Sequence, residues 1–90
     1  MVDLQGYDEL IERFLNHEMT AEEFQAAYDD KYLNNSHSMN EELFKILDWL
    51  FAVNDSFTRD PELLKNDSYV NEEQLRESAA KTLHEIRALK

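Results

Sequence analysis

The chain contains no cysteine, one glycine (Gly6) and one proline (Pro61). Without cysteine there is no disulfide framework and no thiolate metal site. One glycine is too few for the turns of a β-rich or α/β domain. It also excludes the G-x-S-x-G nucleophile elbow and glycine-rich phosphate loops. Basic residues are scarce as well: 9 Lys plus Arg stand against 20 Asp plus Glu, for a formal net charge of −11 and a pI near 4.5. Nucleic-acid binders need a basic footprint, so neither nucleic acid nor an anionic membrane surface is an expected partner. Basic proteins are, with association accelerated by long-range steering. The longest unbroken apolar run, residues 49–53 (WLFAV), is far too short to span a bilayer. The first residues, MVDLQGYDEL, lack the apolar stretch of a signal peptide. A cytoplasmic location is therefore expected.

What is present is a helical chain. Apolar residues make up 42% and aromatics 11%, with clear periodicity, which argues against disorder despite the charge. Ninety residues predict one domain spanning 1–90, with a small core. Tyr7, Leu10, Ile11, Phe14 and Leu15 keep the i, i+3, i+4, i+7, i+8 spacing of a first helix. Thr20 and Glu23 form a capping box, with Met19 and Phe24 as its hydrophobic staple. The second helix follows, with Phe24, Ala27, Tyr28 and Tyr32 on its buried face, and dissolves over residues 34–37. Ser38 with Glu41 predicts another box opening the third helix. That helix is apolar over more of its circumference than the others, the mark of a central position. Residues 58–61 (TRDP) form a boundary, because the residue before proline avoids the α region. Residues 61–65 predict one helical turn, and Asn66, Asp67 and Ser68 a loop. Asn71 and Gln74 form the last box, and a fourth helix runs to about Leu89, burying Leu75, Ala79, Leu83 and Ile86. Short connections between four helices predict an all-α, antiparallel four-helix bundle.

No catalytic constellation is found. His17, His37 and His84 fall at no H-x-x-x-H spacing, and the residues three before them are Phe14, Asn34 and Lys81, not the Glu of a Glu-x-x-His site. No metal, no cofactor and no enzymatic activity are expected. Asp55-Ser56-Phe57 and Asp67-Ser68-Tyr69 resemble the Asp-Ser-Leu of acyl carrier proteins. An acidic carrier or adaptor bundle is thus the alternative function.

The most informative stretch is residues 41–57, EELFKILDWLFAVNDSF. Leu43, Ile46, Leu47, Leu50, Val53 and Phe57 make an apolar face. Phe44, Asp48, Phe51 and Asp55 make a separate aromatic and acidic stripe. Further acids continue through Asp60, Glu62, Asp67, Glu72, Glu73 and Glu77, interleaved with Trp49, Phe57 and Tyr69. The aromatics fit either a core or an interface, and the acids either a solvated rim or an interface in which carboxylates face Arg or Lys as phosphates would.

With these segments in hand, the chain resembles the colicin D immunity family, which includes immunity proteins of contact-dependent growth inhibition systems. The resemblance rests on LIERFLNHEMTAEEFQAAYDDKY at 10–32, EELFKILDWLFAVNDSF at 41–57, DPELL at 60–64 and NEEQLRESAAKTLHEI at 71–86. The related DNase-colicin immunity proteins carry a Tyr-Tyr-Pro segment that is missing here. The resemblance implies a four-helix bundle that binds, in a 1:1 complex, the basic nuclease domain of a cognate toxin acting on tRNA. Inhibition would come from acidic residues that mimic RNA phosphates in the toxin's basic site. Asp48, Asp55, Asp60 and Glu62 are the expected phosphate mimics, with Trp49 and Phe51 as anchors.

Overall fold

The computed structural model describes residues 2–35 and 39–90, with only the backbone of residue 35. Among the described residues four α-helices carry the fold: α1 (Tyr7–Leu15), α2 (Ala21–Asn35), α3 (Glu41–Asp55) and α4 (Glu72–Arg87), with a 3₁₀ turn at Leu63–Lys65 before α4. Among the described residues there is no strand, only an isolated bridge between Phe57 and Val70.

Each helix end follows from its local sequence. α1 starts after Gly6, whose φ of 82° only glycine adopts without strain. It ends with His17 at φ 63°. There the amide of His17 reaches the Phe14 carbonyl and that of Glu18 reaches the Arg13 carbonyl, the paired bonds of a Schellman stop with histidine in the place glycine usually takes. The Thr20 box opens α2 as predicted: the Thr20 amide donates to Glu23 Oε1 at 2.8 Å and the Glu23 amide to Thr20 Oγ1 at 3.1 Å. Asn71 and Gln74 exchange the same bonds at 2.8 and 2.9 Å to open α4. At α3 the cap is Asn40, whose side chain accepts from the amides of Glu42 and Leu43. The expected box at Ser38 lies outside the described residues, and Glu41 turns instead to Lys45, 3.6 Å away.

Contacts between neighbouring helices fix their directions. Phe14 stacks on Phe24 at 4.2 Å while Tyr7 meets Tyr28 at 5.7 Å, so α1 and α2 run antiparallel. Tyr32 meets Phe44, Tyr28 donates to the Leu47 carbonyl, and Gln25 donates to that of Asn54, which sets α3 antiparallel to α2. Arg76 reaches the Phe14 carbonyl and Lys90 approaches Asp8, so α4 runs against α1. The helices close a ring in which α1 packs on α2 and α4, and α3 packs on α2 and α4.

This ring corrects the central position expected of α3, because no helix is enclosed by the other three. The extra apolar surface of α3 goes outward: Phe44 is 36% and Trp49 42% exposed. Two core assignments also change. Ala27 on α2 is exposed, and on α4 Thr82 is fully buried alongside Leu75, Ala79 and Ile86, while Leu83 is half-buried. α2 persists through Asn35, and α4 stops at Arg87.

The core joins Leu4, Tyr7, Ile11 and Phe14 to Phe24, Tyr28, Tyr32, Leu43, Leu47, Leu50, Leu75, Ala79 and Ile86. Its organising feature is a run of rings from Phe14 through Phe24, Tyr28 and Tyr32 to Phe51, with consecutive centroids 4.2 to 6.3 Å apart. Aromatic pairs at such separations add roughly 0.5–1.5 kcal/mol each beyond area burial. The 58–69 connection is tied at its base, where the Thr58 amide donates to the Val70 carbonyl and the Val70 amide to that of Ser56, both at 3.0 Å. Arg59 then bridges Glu22 of α2 and Glu72 of α4.

Candidate functional site

The acidic stripe of α3 faces α2, and α2 reinforces it. α2 carries Glu22, Glu23, Asp29 and Asp30 against Lys31, and α3 carries Glu41, Glu42, Asp48 and Asp55 against Lys45. By contrast α4 carries Arg76, Lys81 and Arg87 among its acids. α2 and α3 are thus each more negative than α4.

Asp48 is exposed on α3 but held from below. Its Oδ1 accepts the Tyr32 hydroxyl at 2.7 Å. Tyr32 itself is 5% exposed, and its ring stacks on Phe51 at 4.6 Å and on Phe44 at 6.0 Å. Burial, together with the neighbouring Asp48 carboxylate, pushes the Tyr32 hydroxyl well above the ordinary tyrosine range. It therefore keeps its proton at neutral pH and donates. No cation pairs with Asp48 among the described residues, so its outward oxygen is available.

Nearly two turns of α3 toward the C-terminus, a second polar seam crosses between the helices. Asn54 is fully buried. Its Nδ2 donates to the Gln25 carbonyl at 3.2 Å and to Asp29 Oδ1 at 2.9 Å, and Gln25 Nε2 donates to the Asn54 carbonyl at 2.8 Å. Burial is the main reason that Asp29 titrates above the usual carboxylate range. The Asn54 hydrogen bond works against that rise, and the charge of Asp55 adds to it. Asp29 and Asp55 thus place two carboxylates near each other, with no cation paired to either among the described residues.

The other expected site residues fall elsewhere. Trp49 faces α4, with Lys81 Nζ 4.8 Å from its ring centre. It lines an open groove of about 260 Å³ with Lys45, Ile46, Lys81 and Glu85, so it does not join Asp48. Phe51 is half-buried against Tyr32 and acts at the edge of the core. Asp60 and Glu62 are exposed on the 58–69 connection. The Asp60 carboxylate accepts the Glu62 amide at 2.9 Å, and Glu62 lies 3.4 Å from Lys65. Beside them Leu63 is 40% exposed.

Sequence reasoning missed Tyr32 and Asp29 as members of this face. Tyr32 was legible only as a core position at i+4 from Tyr28, and Asp29 as one acid among many. The pairing across α2 and α3 that gives each its role has no signature in one chain.

Nothing in this geometry resembles a catalytic centre. Among the described residues no three His, Asp or Glu side chains converge on a metal position, and no helix is long and apolar enough to cross a membrane. The serines of the carrier-like motifs are ordinary: Ser56 Oγ donates back to the Ala52 carbonyl at 3.1 Å, and Ser68 lies in an exposed turn.

No curated protein and no solved structure matches the chain. The family model described as bacterial self-protective colicin-like immunity does match, over residues 2–86. The chain therefore belongs to the colicin-like immunity family, whose members are not enzymes but protective binders of a toxin.

Proposed function

We propose that this immunity protein neutralises a cognate nuclease toxin, a tRNase of the colicin D or contact-dependent growth inhibition type, in the cytoplasm of the cell that makes both. The α2–α3 face covers the toxin's basic RNA site in a 1:1 complex, and its carboxylates take the place of RNA phosphates. One observation carries the reading: Asp48 and Asp55 are exposed carboxylates without a cation partner among the described residues, whereas every arginine lies within salt-bridge distance of a carboxylate. A face with unmatched negative charge suits a basic partner and not a self-sufficient surface.

Asp48 and Asp55 form the centre of the contact. Phe44, exposed beside Asp48, supplies apolar area of the kind that anchors interfaces. Asp60, Glu62 and Leu63 extend the contact along the connection. Phe51 supports it from behind, and Trp49, on the α4 side of α3, flanks the contact without entering it. Family membership removes the carrier reading, since a carrier would need a modified serine and no toxin.

The test is direct. The toxin domain encoded by the adjacent open reading frame is assayed for tRNA cleavage with increasing amounts of this protein. Loss of cleavage at equimolar protein, with a 1:1 complex by light scattering, is the expected result. Full cleavage in the presence of a stable complex would move the contact away from the active site, and no complex would refute the partner.

A further inference from the structure

We propose that Tyr32, on α2, is a positioning residue of the toxin contact, holding the Asp48 carboxylate in its binding orientation. The inference rests on the reading of Asp48 given above.

Three observations converge on it. The Tyr32 hydroxyl lies 2.7 Å from Asp48 Oδ1. The Tyr32 ring is clamped between Tyr28 at 6.3 Å and Phe51 at 4.6 Å, with Phe44 at 6.0 Å. The residue is 5% exposed, while Asp48 and Phe44 are exposed. A helix-borne aspartate on the surface normally samples several rotamers, and ordering it on binding costs free energy. Here a rigid donor has already selected the orientation. Oδ1 is directed inward to the hydroxyl, and Oδ2 remains for a partner's guanidinium or ammonium group. Because the same ring packs on Phe44, one buried side chain sets both an acid and an aromatic on the outer surface. The contact is therefore composite: α3 presents the groups, and α2 fixes their geometry.

Tyr32→Phe keeps the ring and its stacking and removes only the donor. The experiment is a double-mutant cycle on binding of the catalytically inactivated toxin domain from the adjacent reading frame, using wild type, Tyr32→Phe, Asp48→Asn and the double variant. Dissociation rates are read by surface plasmon resonance and folding stability by urea unfolding. Tyr32→Phe is expected to weaken binding about tenfold, which is 1.4 kcal/mol, mainly through faster dissociation. In the Asp48→Asn background the same change is expected to alter binding less than about twofold, because the cycle isolates the pairwise coupling. A purely structural role would lower stability and leave the coupling at zero. The proposal is overturned if Asp48→Asn weakens binding while Tyr32→Phe matches wild type, or if the Tyr32→Phe loss persists in full without Asp48. If Asp48→Asn itself binds as wild type, the reading of the face fails, and this inference fails with it.

Discussion

Asn54 is the position whose replacement reads the α2–α3 seam most sharply. Its side chain is fully buried and joins the two helices that present the acidic face. Asn54→Ala removes one donor bond to a carboxylate, worth about 1.5–3 kcal/mol, and one to a carbonyl, worth about 0.5–1.5 kcal/mol. It also removes Oδ1, which has no hydrogen-bond partner among protein groups, and so recovers about 1–3 kcal/mol. A net loss of about 1 kcal/mol is expected at pH 7. Asn54→Asp has the same shape but sets a second carboxylate against Asp29. Two charges 4 Å apart repel by about 4 kcal/mol at an effective dielectric constant of 20, so this variant is expected to lose at least about 4 kcal/mol. Total stability of a domain of this size is about 5–13 kcal/mol. The pH dependence has a definite sign. Asp29 already titrates above its unfolded value, so ionised Asp29 costs the native state stability that returns as pH falls through its folded pKa. The penalty of Asn54→Asp relative to wild type should therefore shrink from pH 7 toward pH 4.5, and more steeply than that of Asn54→Ala. Urea unfolding at pH 7, 6, 5 and 4.5 measures both curves. A cost below about 0.5 kcal/mol for Asn54→Ala, or a flat pH profile for Asn54→Asp, would refute the role given to the seam.

Other outcomes follow from single contacts. Thr20→Ala removes one half of the box that opens α2 and should cost about 1 kcal/mol in the same unfolding assay. His17→Gly should stabilise the protein by about 0.5–1 kcal/mol, because φ 63° strains a side chain that glycine lacks; a measured loss would show that His17 has a packing role. Arg59→Gln should lower stability at pH 7. Hydrogen bonds from Arg59 hold Glu22 and Glu72 below the usual carboxylate range, so the wild-type advantage is complete above pH 4.5 and lost as pH falls through the folded pKa values. An advantage that grows on acidification would contradict the pairing.

The starts of α2 and α4 were legible in the sequence because each begins with chemistry that acts within four residues. Thr20 with Glu23 and Asn71 with Gln74 are complete caps without any tertiary contact. The periodic face of residues 7–15 likewise located Tyr7, Ile11 and Phe14 in the core. Reading failed where the answer depended on a neighbouring helix. Asn54 is a polar residue near the end of α3 with no local signature, yet it is a buried cross-link, because the Gln25 carbonyl and Asp29 lie opposite to accept from its amide. Trp49 is one residue from Asp48, but a helix turns about 100° per residue, and the two point to different neighbours. The surplus apolar character of α3 suggested a central helix; in a four-membered ring the same surplus becomes exposed surface. For the binding face, the sequence revealed the acids but not which of them lack cations. That depends on where Arg59, Arg76 and Arg87 reach.

Rate measurements distinguish a local contact made by the α2–α3 acids from a merely diffuse field. The deciding measurement is the association and dissociation rate of the toxin domain with Asp48→Lys, Asp55→Lys and Glu9→Lys proteins across a salt series. Glu9 is exposed on α1 with no ion-pair partner among the described residues, so Glu9→Lys changes net charge equally without touching the face, whereas Glu12 is committed to Arg87. Asp55→Lys also sets a cation near Asp29, which protects the fold. All three should slow association, with differences that fade as salt screens charge beyond about 10 Å at 0.1 M. Only Asp48→Lys and Asp55→Lys should speed dissociation, by at least the 2–5 kcal/mol, roughly 30- to 5000-fold, typical of breaking a desolvated charge pair. Equal dissociation rates for all three variants, with toxin neutralisation intact, would contradict a local contact.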